Sequence, residues 1–428
     1  MLQSVSDRLI GEFARLDPAD SRFAVDVVDR LLTAARTHRA SDLHLQPTSR
    51  GLDVQFRIDG VLRRITTFPP EVAPNIVSRL KVLAELLTYQ TDLPQEGRIR
   101  LSGSDGASGS NGSPGNDGED RSSEDTGVEM RVSTFPTLHG ERAVVRFFGR
   151  DGRFERLDDL GLHDDLAMPL SELLGQTSGA ILVSGPAGSG KTTTAYACLR
   201  ELAGRNQGAR SLVSIEDPIE VAVDGVAQSQ VNPTAGLDLA TGLRFLMRQD
   251  PEVIMVGEIR DRATAEAALQ ASLTGHLLLS TFHAGSAAET VGRLSDMGIE
   301  PYVLRSGVLA ILCQRLVRRL CSCARESDDA DDLLGLSVGH AMVPVGCEAC
   351  GGTGYRGRFL LAEMLVTTRT ELGRAILSRS DSAQLEQLAV ESGMVTRWDR
   401  ARRAVEAGET SPAEVRRVLG IGKMGVER

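Results

Sequence analysis

Gly185-Pro186-Ala187-Gly188-Ser189-Gly190-Lys191-Thr192 is a G-x-x-x-x-G-K-T pattern. The apolar run 180–183 before it predicts a buried strand, and the run 192–199 after it predicts a helix. In that setting, backbone N–H groups of a glycine-rich loop surround phosphate oxygens, and the helix N-terminus adds partial positive charge. The alternative is a glycine-rich turn before an ordinary helix. We expect a nucleoside triphosphate to contact Gly185, Pro186, Ala187, Gly188, Ser189, Gly190, Lys191, Thr192 and Thr193.

Two side chains of this loop have specific expected partners. Lys191 would reach the β- and γ-phosphates, and the Thr192 hydroxyl would ligate Mg²⁺.

Composition limits the class of protein. The 428 residues predict two or three domains, and 41% hydrophobic residues are enough for a packed core. Half of the net charge of −10 lies in residues 102–127, so the remainder gives no reason to expect nucleic acid as the main ligand. No segment approaches the roughly 18 uninterrupted apolar residues of a membrane span. The N-terminus lacks the basic and apolar regions of a signal peptide, so we expect a cytoplasmic protein.

The first part of the chain predicts a small α+β domain over residues 1–150. Helical spacing covers Arg22–Arg39 and Ala73–Leu87, and Asp59-Gly60 is a hairpin turn signal. The predicted strands are Val54–Ile58, Gly97–Leu101, Val128–Ser133 and Ala143–Phe148. Residues 102–127 hold seven Gly, seven Ser and six acids, which predicts a disordered loop at a hairpin tip, with a docking segment as the alternative.

From Leu157 onward the pattern alternates between strands and helices, which is typical of a parallel α/β sheet. The predicted strands are Ala180–Val183, Leu212–Ile215, Val253–Val256 and Leu277–Thr281. The predicted helices are Thr192–Leu202, Ala263–Leu273, Ala287–Met297 and Val303–Leu320. We assign an α/β core to residues 151–320, an irregular cysteine-bearing module to 321–357 and a helical subdomain to 358–428.

Acidic residues follow two of the predicted strands. Glu258 follows one strand, and Glu216, Asp217 and Glu220 follow another. The carboxyl ends of parallel strands line one crevice, where an acid can hold Mg²⁺ and orient water. The alternative is that these are ordinary exposed loop acids. His276 and His283 flank the strand after them, and the spacing leaves open whether they sense a phosphate or are merely satisfied polar groups.

Four cysteines form the other group. Four thiolates at Cys321, Cys323, Cys347 and Cys350 suit a tetrahedral structural Zn²⁺. Only one residue separates the first two, whereas two are usual, so a three-coordinate or strained site remains open. We expect Cys198 and Cys313 to lie in helices as small core residues.

Several ordered motifs resemble those of the type II secretion and type IV pilus assembly ATPases, a branch of the RecA-like hexamers. The resemblance covers most of residues 22–423. Besides the phosphate loop it rests on Ala40–His44, Phe56–Gly60, Ile215–Glu220 (an Asp box), Leu246–Pro251 with Glu258–Asp261 (a Walker B region), Thr274–His283 (a His box) and Gln314–Arg318.

The resemblance implies a fold and a set of roles. The fold would be α/β, a RecA-like P-loop NTPase core with a smaller N-terminal α+β (PAS-like) domain, a tetracysteine metal module and a helical C-terminal tail. Glu258 would act at the Walker B position, Glu216 would position water, and His283, and less surely His276, would contact the γ-phosphate. Arg131 and Arg146 match arginines that this family directs from the smaller domain toward the nucleotide.

The function implied by the resemblance is a cytoplasmic, ATP-hydrolysing motor that uses ATP and Mg²⁺ and holds Zn²⁺. It would work as a homohexamer at the cytoplasmic face of the inner membrane, where it is associated through a platform protein and other secretion or pilus components, without direct nucleic-acid binding. The alternatives are a pilus-retraction or conjugation motor, a nucleotide-gated scaffold with little turnover, and a nucleic-acid translocase.

Three features depart from the family pattern. Ala284-Gly285 follows His283 where the family often has Thr-Asn, and Arg400 follows Asp399 where glycine is common. Only residues 1–21 precede the first predicted helix, too few for the additional docking domain of many members.

Overall fold

The computed structural model describes residues 11, 13, 15–101, 128–148, 154–206, 209–368 and 370–420. The chain divides into two compact units, residues 1–151 with 347–352, and residues 152–346 with 353–428. The segment 102–127, predicted as a disordered loop, lies outside the described residues. None of the described helices combines the length and the apolar character that crossing a membrane requires.

The first unit contains an antiparallel six-stranded sheet with the strand order β3-β2-β1-β6-β5-β4. Its strands are β1 Asp42–Thr48, β2 Gly51–Ile58, β3 Val61–Phe68, β4 Gln95–Leu101, β5 Val128–Thr137 and β6 Gly140–Phe148, and its helices are α1 Phe23–Thr37 and α2 Ala73–Leu83. The predicted Asp59-Gly60 turn is confirmed: both residues have positive φ, at 49° and 81°, and Ile58 pairs with Val61 across it.

One face of each helix in this unit packs in a shared apolar core with the sheet. On α1, Val27, Leu31 and Ala35 follow helical spacing and are fully buried. On β2, Val54 and Phe56 alternate with partly exposed residues and are buried in the same cluster. The α+β prediction for this part of the chain is therefore confirmed.

The second unit contains a seven-stranded sheet with the order β15-β12-β7-β11-β10-β8-β9, in which every neighbouring pair is parallel except β15 with β12. These strands are β7 Gly179–Ser184, β8 Leu212–Glu216, β9 Ala227–Gln230, β10 Val253–Val256, β11 Leu277–Phe282, β12 Val308–Leu320 and β15 Tyr355–Val366. A small pair, β13 Arg325–Ser327 and β14 Ala341–Val343, lies between the last two in sequence.

The second unit also contains helices. They are α3 Asp164–Leu174, α4 Lys191–Asn206, α5 Leu239–Leu246, α6 Arg262–Leu273, α7 Ala287–Asp296, α8 Pro301–Gly307, α9 Ala330–Leu333, α10 Thr370–Leu377, α11 Ser382–Glu391, α12 Arg397–Glu406 and α13 Pro412–Leu419. Strands β7, β8, β10 and β11 are buried at every position, as expected for strands covered on both faces. All four were predicted from their apolar runs.

The prediction of a helix over Val303–Leu320 is wrong. Helix α8 ends at Gly307, and the residues from Val308 form β12, which pairs with β7 and β15. A strand buried on both faces has no polar alternation, so its apolar run resembles that of a buried helix. Cys313 is a buried core residue, as expected, but it lies in this strand and not in a helix. The assignment of residues 358–428 to a helical subdomain is also wrong at its start, because Tyr355–Val366 forms β15 and the helices begin at Thr370.

A buried ion cluster joins β12 to the last helix. Glu414 on α13 is fully buried, and it accepts hydrogen bonds from the backbone N–H and guanidinium of Arg318 and from the guanidinium of Arg417. Burial acts to raise the pKa of Glu414, but the hydrogen bonds from Arg417 and Arg318 outweigh it, so the net pKa lies below the ordinary value.

We predict that Glu414→Gln destabilises the fold by about 3 kcal/mol or more at neutral pH, because it leaves the largely buried guanidinium of Arg318 without its counter-charge. A carboxyl whose pKa is lowered on folding contributes stability above its unfolded pKa of about 4.3, and that contribution is lost as the pH falls through the folded pKa. Urea denaturation should therefore show a gap between wild type and variant at pH 7 that narrows below about pH 4.

The matched control is Glu371→Gln, because Glu371 pairs with Arg374 at the same i, i+3 spacing while both side chains are exposed. That variant should change the stability by less than about 1 kcal/mol. Equal effects of the two substitutions would contradict the assignment of Glu414 as a buried anchor.

Candidate functional site

The phosphate loop connects β7 to α4 and depends on its glycines. Gly185, Gly188 and Gly190 have φ angles of 149°, 73° and 86°, which residues other than glycine rarely adopt. A Cβ at Gly185 would lie 2.5 Å from Ser189 Oγ and 2.6 Å from the Gln314 carbonyl oxygen. The loop can therefore close this tightly only with glycine at this position.

Lys191 lies at the start of α4 with its ammonium turned into the loop. Its Nζ donates to the carbonyl oxygens of Gly185 and Pro186, each at 3.1 Å. Burial lowers the pKa of Lys191, Glu258 counteracts this shift, and Arg315 adds to it. The ammonium is thus a buried cation within reach of the loop backbone.

Polar groups of the same loop fit a phosphate chain. Ser189 Oγ is buried and has no hydrogen-bond partner within the described part of the chain. Such a group is costly unless a ligand or water satisfies it. Thr192, the expected Mg²⁺ ligand, is half-buried in the first turn of α4. The donor set of this loop therefore suits phosphate oxygens and a hydrated cation.

Glu258 and His283 come together at the carboxyl ends of neighbouring strands. They follow β10 and β11, which are parallel, and His283 Nε2 lies 2.6 Å from Glu258 Oε1. Arg260 Nε lies 2.7 Å from the other carboxylate oxygen. The Glu258 side chain is only 16% exposed, and that of His283 is 45% exposed. Burial lowers the pKa of His283, and Lys191 lowers it further while Glu258 acts to raise it.

Glu216 has a different environment. It ends β8 and is buried, and both carboxylate oxygens already accept hydrogen bonds. Ser214 Oγ and Gln228 Nε2 donate to Oε1 at 2.6 and 3.0 Å, and the Tyr196 hydroxyl of α4 donates to Oε2. Three donors hold this carboxylate in place, which favours a positioning role. The neighbouring Asp217 and Glu220 are exposed, and the Glu220 N–H donates to the Tyr196 hydroxyl at 3.2 Å.

His276 lies at the opposite end of β11 from His283. It lies just beyond the end of α6, and its Nδ1 is 3.0 Å from the carbonyl oxygen of Ala271 in that helix. The structure therefore brings His283, and not His276, to Glu258. The sequence could not distinguish the two, because both histidines flank the same apolar strand.

Arg131 and Arg146 lie in the first unit and are directly opposite each other on β5 and β6. Arg131 pairs with Glu96, and Arg146 Nε lies 3.0 Å from Asp42 Oδ1. Like charges opposite each other in a sheet repel, and the two carboxylates offset this. A role toward the nucleotide stays a prediction for both arginines.

Gln314 is a residue whose contribution the sequence did not indicate. It is fully buried on β12, and its amide group contacts both the phosphate loop and α4. The predicted helix Val303–Leu320 included Gln314, which otherwise appeared only as part of the Gln314–Arg318 motif. A strand assignment at 308–320 would have placed it beside the loop.

The four cysteines predicted as metal ligands do come together. The sulfur atoms of Cys321, Cys323, Cys347 and Cys350 all lie within 4.8 Å of one another. The Cys347 backbone N–H donates to Cys350 Sγ at 3.1 Å. Four clustered thiols are the donor set that a tetrahedral structural metal ion uses, so the single-residue spacing between Cys321 and Cys323 does not prevent a four-sulfur group.

Known proteins resemble this chain over most of its length. The chain is 39% identical to the type II secretion system protein E of Dickeya dadantii, over 91% of the chain and 77% of that protein. It is 36% identical to the type IV pilus assembly ATPase PilB of Thermus thermophilus, over 88% of the chain and 41% of that protein. The X-ray structure of the Yersinia pseudotuberculosis ATPase DotB matches with a TM-score of 0.67 at 20% identity, covering 95% of this chain and 96% of that one.

The structural match shows that the chain shares the fold of that ATPase. The family model described as type II/IV secretion system protein matches residues 17–107 and 121–417. The chain therefore belongs to the type II/IV secretion system protein family.

Proposed function

We propose that the chain is the ATP-hydrolysing motor that powers assembly of pilin-like subunits in a type II secretion or type IV pilus system. It is an ATPase whose reaction takes place at the phosphate loop. The observation that carries the proposal is that Glu258 and His283 converge at the carboxyl edge of the sheet, where both interact electrostatically with Lys191 at the start of α4. The relatives whose names refer to type II secretion and pilus assembly support a motor that drives assembly.

The residues of the loop bind and orient the nucleotide. Lys191 offers its buried ammonium to the β- and γ-phosphates, and Ser189 offers a hydroxyl that lacks another partner within the described residues. Thr192 would hold Mg²⁺ through its hydroxyl group, and the ion would offset the negative charge of the phosphates. Glu258 orients the attacking water and accepts its proton, and His283 beside it contacts the γ-phosphate. Glu216 fixes the neighbouring loop through Tyr196.

Arg131 and Arg146 complete the charge balance in this proposal. A guanidinium directed at the transferred phosphoryl group offsets its negative charge, an effect worth about 10³- to 10⁵-fold in rate in other phosphoryl-transfer enzymes. The active form is a homohexamer associated with the cytoplasmic face of the inner membrane through a platform protein and other secretion or pilus components. No direct contact with nucleic acid is required.

The experiment that tests this function measures steady-state phosphate release with and without the platform protein, together with pilin-like subunit assembly in cells. Turnover that the platform protein stimulates, with assembly lost in a Glu258→Gln strain, supports the motor. Negligible turnover under both conditions would support a nucleotide-gated scaffold instead, and loss of pilus retraction with intact assembly would support a retraction motor. Salt-dependent DNA binding that stimulates turnover would support a translocase.

We further propose that Cys321, Cys323, Cys347 and Cys350 hold a structural Zn²⁺. The purified protein should contain one zinc per chain by elemental analysis. Cys350→Ser should lose that zinc and lower the thermal midpoint, because a structural metal contributes directly to folding free energy. Cys198→Ala is the matched control, because Cys198 is buried in α4 outside the group, and it should retain the metal. Wild-type protein without metal would refute the zinc site.

A further inference from the structure

Strand β12 passes directly beside the start of the phosphate loop. Cys313 pairs with Ser184, the last residue of β7, so the two residues after Cys313 lie next to Gly185. Successive side chains of a strand point to opposite faces of the sheet. Gln314 and Arg315 therefore reach different sides of the nucleotide site.

We propose that Gln314 and Arg315 are positioning residues for ATP hydrolysis: Gln314 fixes the phosphate loop, and Arg315 fixes the loop that carries His283. This inference rests on the proposed function, because it assigns roles at that same site.

Gln314 uses both ends of its amide group. Its Nε2 donates to the Ser189 carbonyl oxygen at 2.9 Å, and its Oε1 accepts from Thr194 Oγ1 at 3.0 Å. It is fully buried, and a Cβ at Gly190 would lie 3.3 Å from its Nε2. A single side chain thus ties the middle of the phosphate loop to the first turn of α4.

Arg315 fastens the other side of the site. Its Nη1 donates to the Gln314 carbonyl oxygen at 3.0 Å, and its Nη2 donates to the Gly285 carbonyl oxygen at 2.7 Å. Gly285 lies two residues after His283. The planar guanidinium spans the distance between β12 and this loop with fixed geometry, which lysine cannot reproduce.

Two other side chains hold the same short segment. The Gly285 N–H donates to Glu289 Oε2 at 2.6 Å, and Arg293 Nη1 donates to the His283 carbonyl oxygen. The backbone from the His283 carbonyl group to Gly285 is therefore held by three side chains. Arg315 links this segment to the strand beside the phosphate loop, and the Cys313 thiol of the same strand makes a longer contact of 3.7 Å with the Gly285 carbonyl oxygen.

The charge of Arg315 calls for an explanation beyond anchoring. The residue is nearly buried, and within the described part of the chain no carboxylate oxygen lies within 4 Å of its guanidinium. The carbonyl oxygens that accept from its Nη1 and Nη2 do not neutralise its charge, and burying an unpaired charge is costly. The pKa of Lys191 is lowered chiefly by burial and also by Arg315, so the two cations lie in one neighbourhood. An anionic triphosphate would compensate both.

The test compares ATP hydrolysis by wild type, Gln314→Leu, Arg315→Gln and Arg315→Lys, with kcat and KM determined separately. Gln314→Leu and Arg315→Gln should each lower kcat by about 10- to 100-fold, since small displacements of catalytic groups have effects of this size. Arg315→Gln should also raise the KM for ATP. Arg315→Lys should restore KM toward the wild-type value while kcat stays low, because lysine keeps the charge and loses the fork.

Arg319→Gln is the matched control, since Arg319 lies on the same strand with a half-exposed side chain paired with Glu409. It should keep wild-type kinetics. Wild-type kcat in Arg315→Gln or Gln314→Leu would overturn the inference. An equal loss of kcat in Arg315→Gln and Arg315→Lys, in proportion to a lowered thermal midpoint, would also overturn it, because it would indicate a purely structural role. In either case an active wild type would leave the proposed function standing, whereas an inactive wild type would refute that function itself.

Discussion

Lys191→Ala is expected to reduce kcat/KM for ATP hydrolysis by about 10³-fold or more, an effect at the upper end of those seen on removing one preorganised electrostatic group from an active site. The ammonium is buried at the phosphate loop and is held by the carbonyl oxygens of Gly185 and Pro186. Its charge acts in surroundings where water screens it poorly. Alanine removes both the charge and the donors that would orient the β- and γ-phosphates.

The measurement is steady-state phosphate release from purified protein, with circular dichroism to establish that the variant is folded. Lys423→Ala is the matched control, because Lys423 lies beyond the residues that match the family model. The control should hydrolyse ATP at the wild-type rate. Near-normal turnover by folded Lys191→Ala protein would refute the assignment of the phosphate loop as the reaction site.

Glu258→Gln is expected to separate binding from hydrolysis. Glutamine has nearly the same shape but cannot take a proton from water, and general-base catalysis typically contributes about 10²- to 10⁴-fold to rate. Single-turnover hydrolysis should fall by that factor, while the Kd for Mg-ATP should change only a few-fold because the phosphate loop is untouched. The same substitution should alter the pH dependence of the hydrolysis rate. Glu258 lies 2.6 Å from His283 and acts to raise the pKa of that histidine, and glutamine removes this effect.

Glu252→Gln provides the comparison for this second variant. Glu252 immediately precedes β10 and Glu258 lies just after its other end, so the control tests the same change on the same strand away from the loop. Its side chain is half-exposed and pairs with Arg210. Hydrolysis should be unchanged in Glu252→Gln. If Glu258→Gln retained wild-type turnover, another group would have to orient the water.

The parts of the fold that the sequence predicted are those whose apolar pattern has one reading. Strands β7, β8, β10 and β11 are short apolar runs bounded by polar or glycine-containing loops, and each is a buried strand. Residues 308–320 were wrongly assigned to a helix because the apolar run 308–313, in a strand buried on both faces, shows no polar alternation and resembles part of a core helix. Pairing with β15 makes these residues a strand, and pairing between residues 35 or more positions apart cannot be predicted from local periodicity.

Some residues of the candidate site could likewise be placed from the local sequence pattern, and others could not. Glu258 could be placed because it follows an apolar parallel strand, and the ends of such strands meet at one edge of the sheet. The choice of His283 over His276 depended on the family resemblance. Gln314 could not be placed, because its strand was assigned as a helix. Strand alternation alone would make Arg131 and Arg146 ordinary surface residues, so their proposed role depends on the family resemblance and not on their local pattern.

The central claim is that ATP binds at the loop ending in Lys191 and Thr192, and calorimetric titration of the folded protein with Mg-ATP tests it most directly. We predict a saturable heat of association for the wild-type chain that is lost in Lys191→Ala. Absence of any heat with folded wild-type protein, or an identical titration curve for Lys191→Ala, would contradict the account.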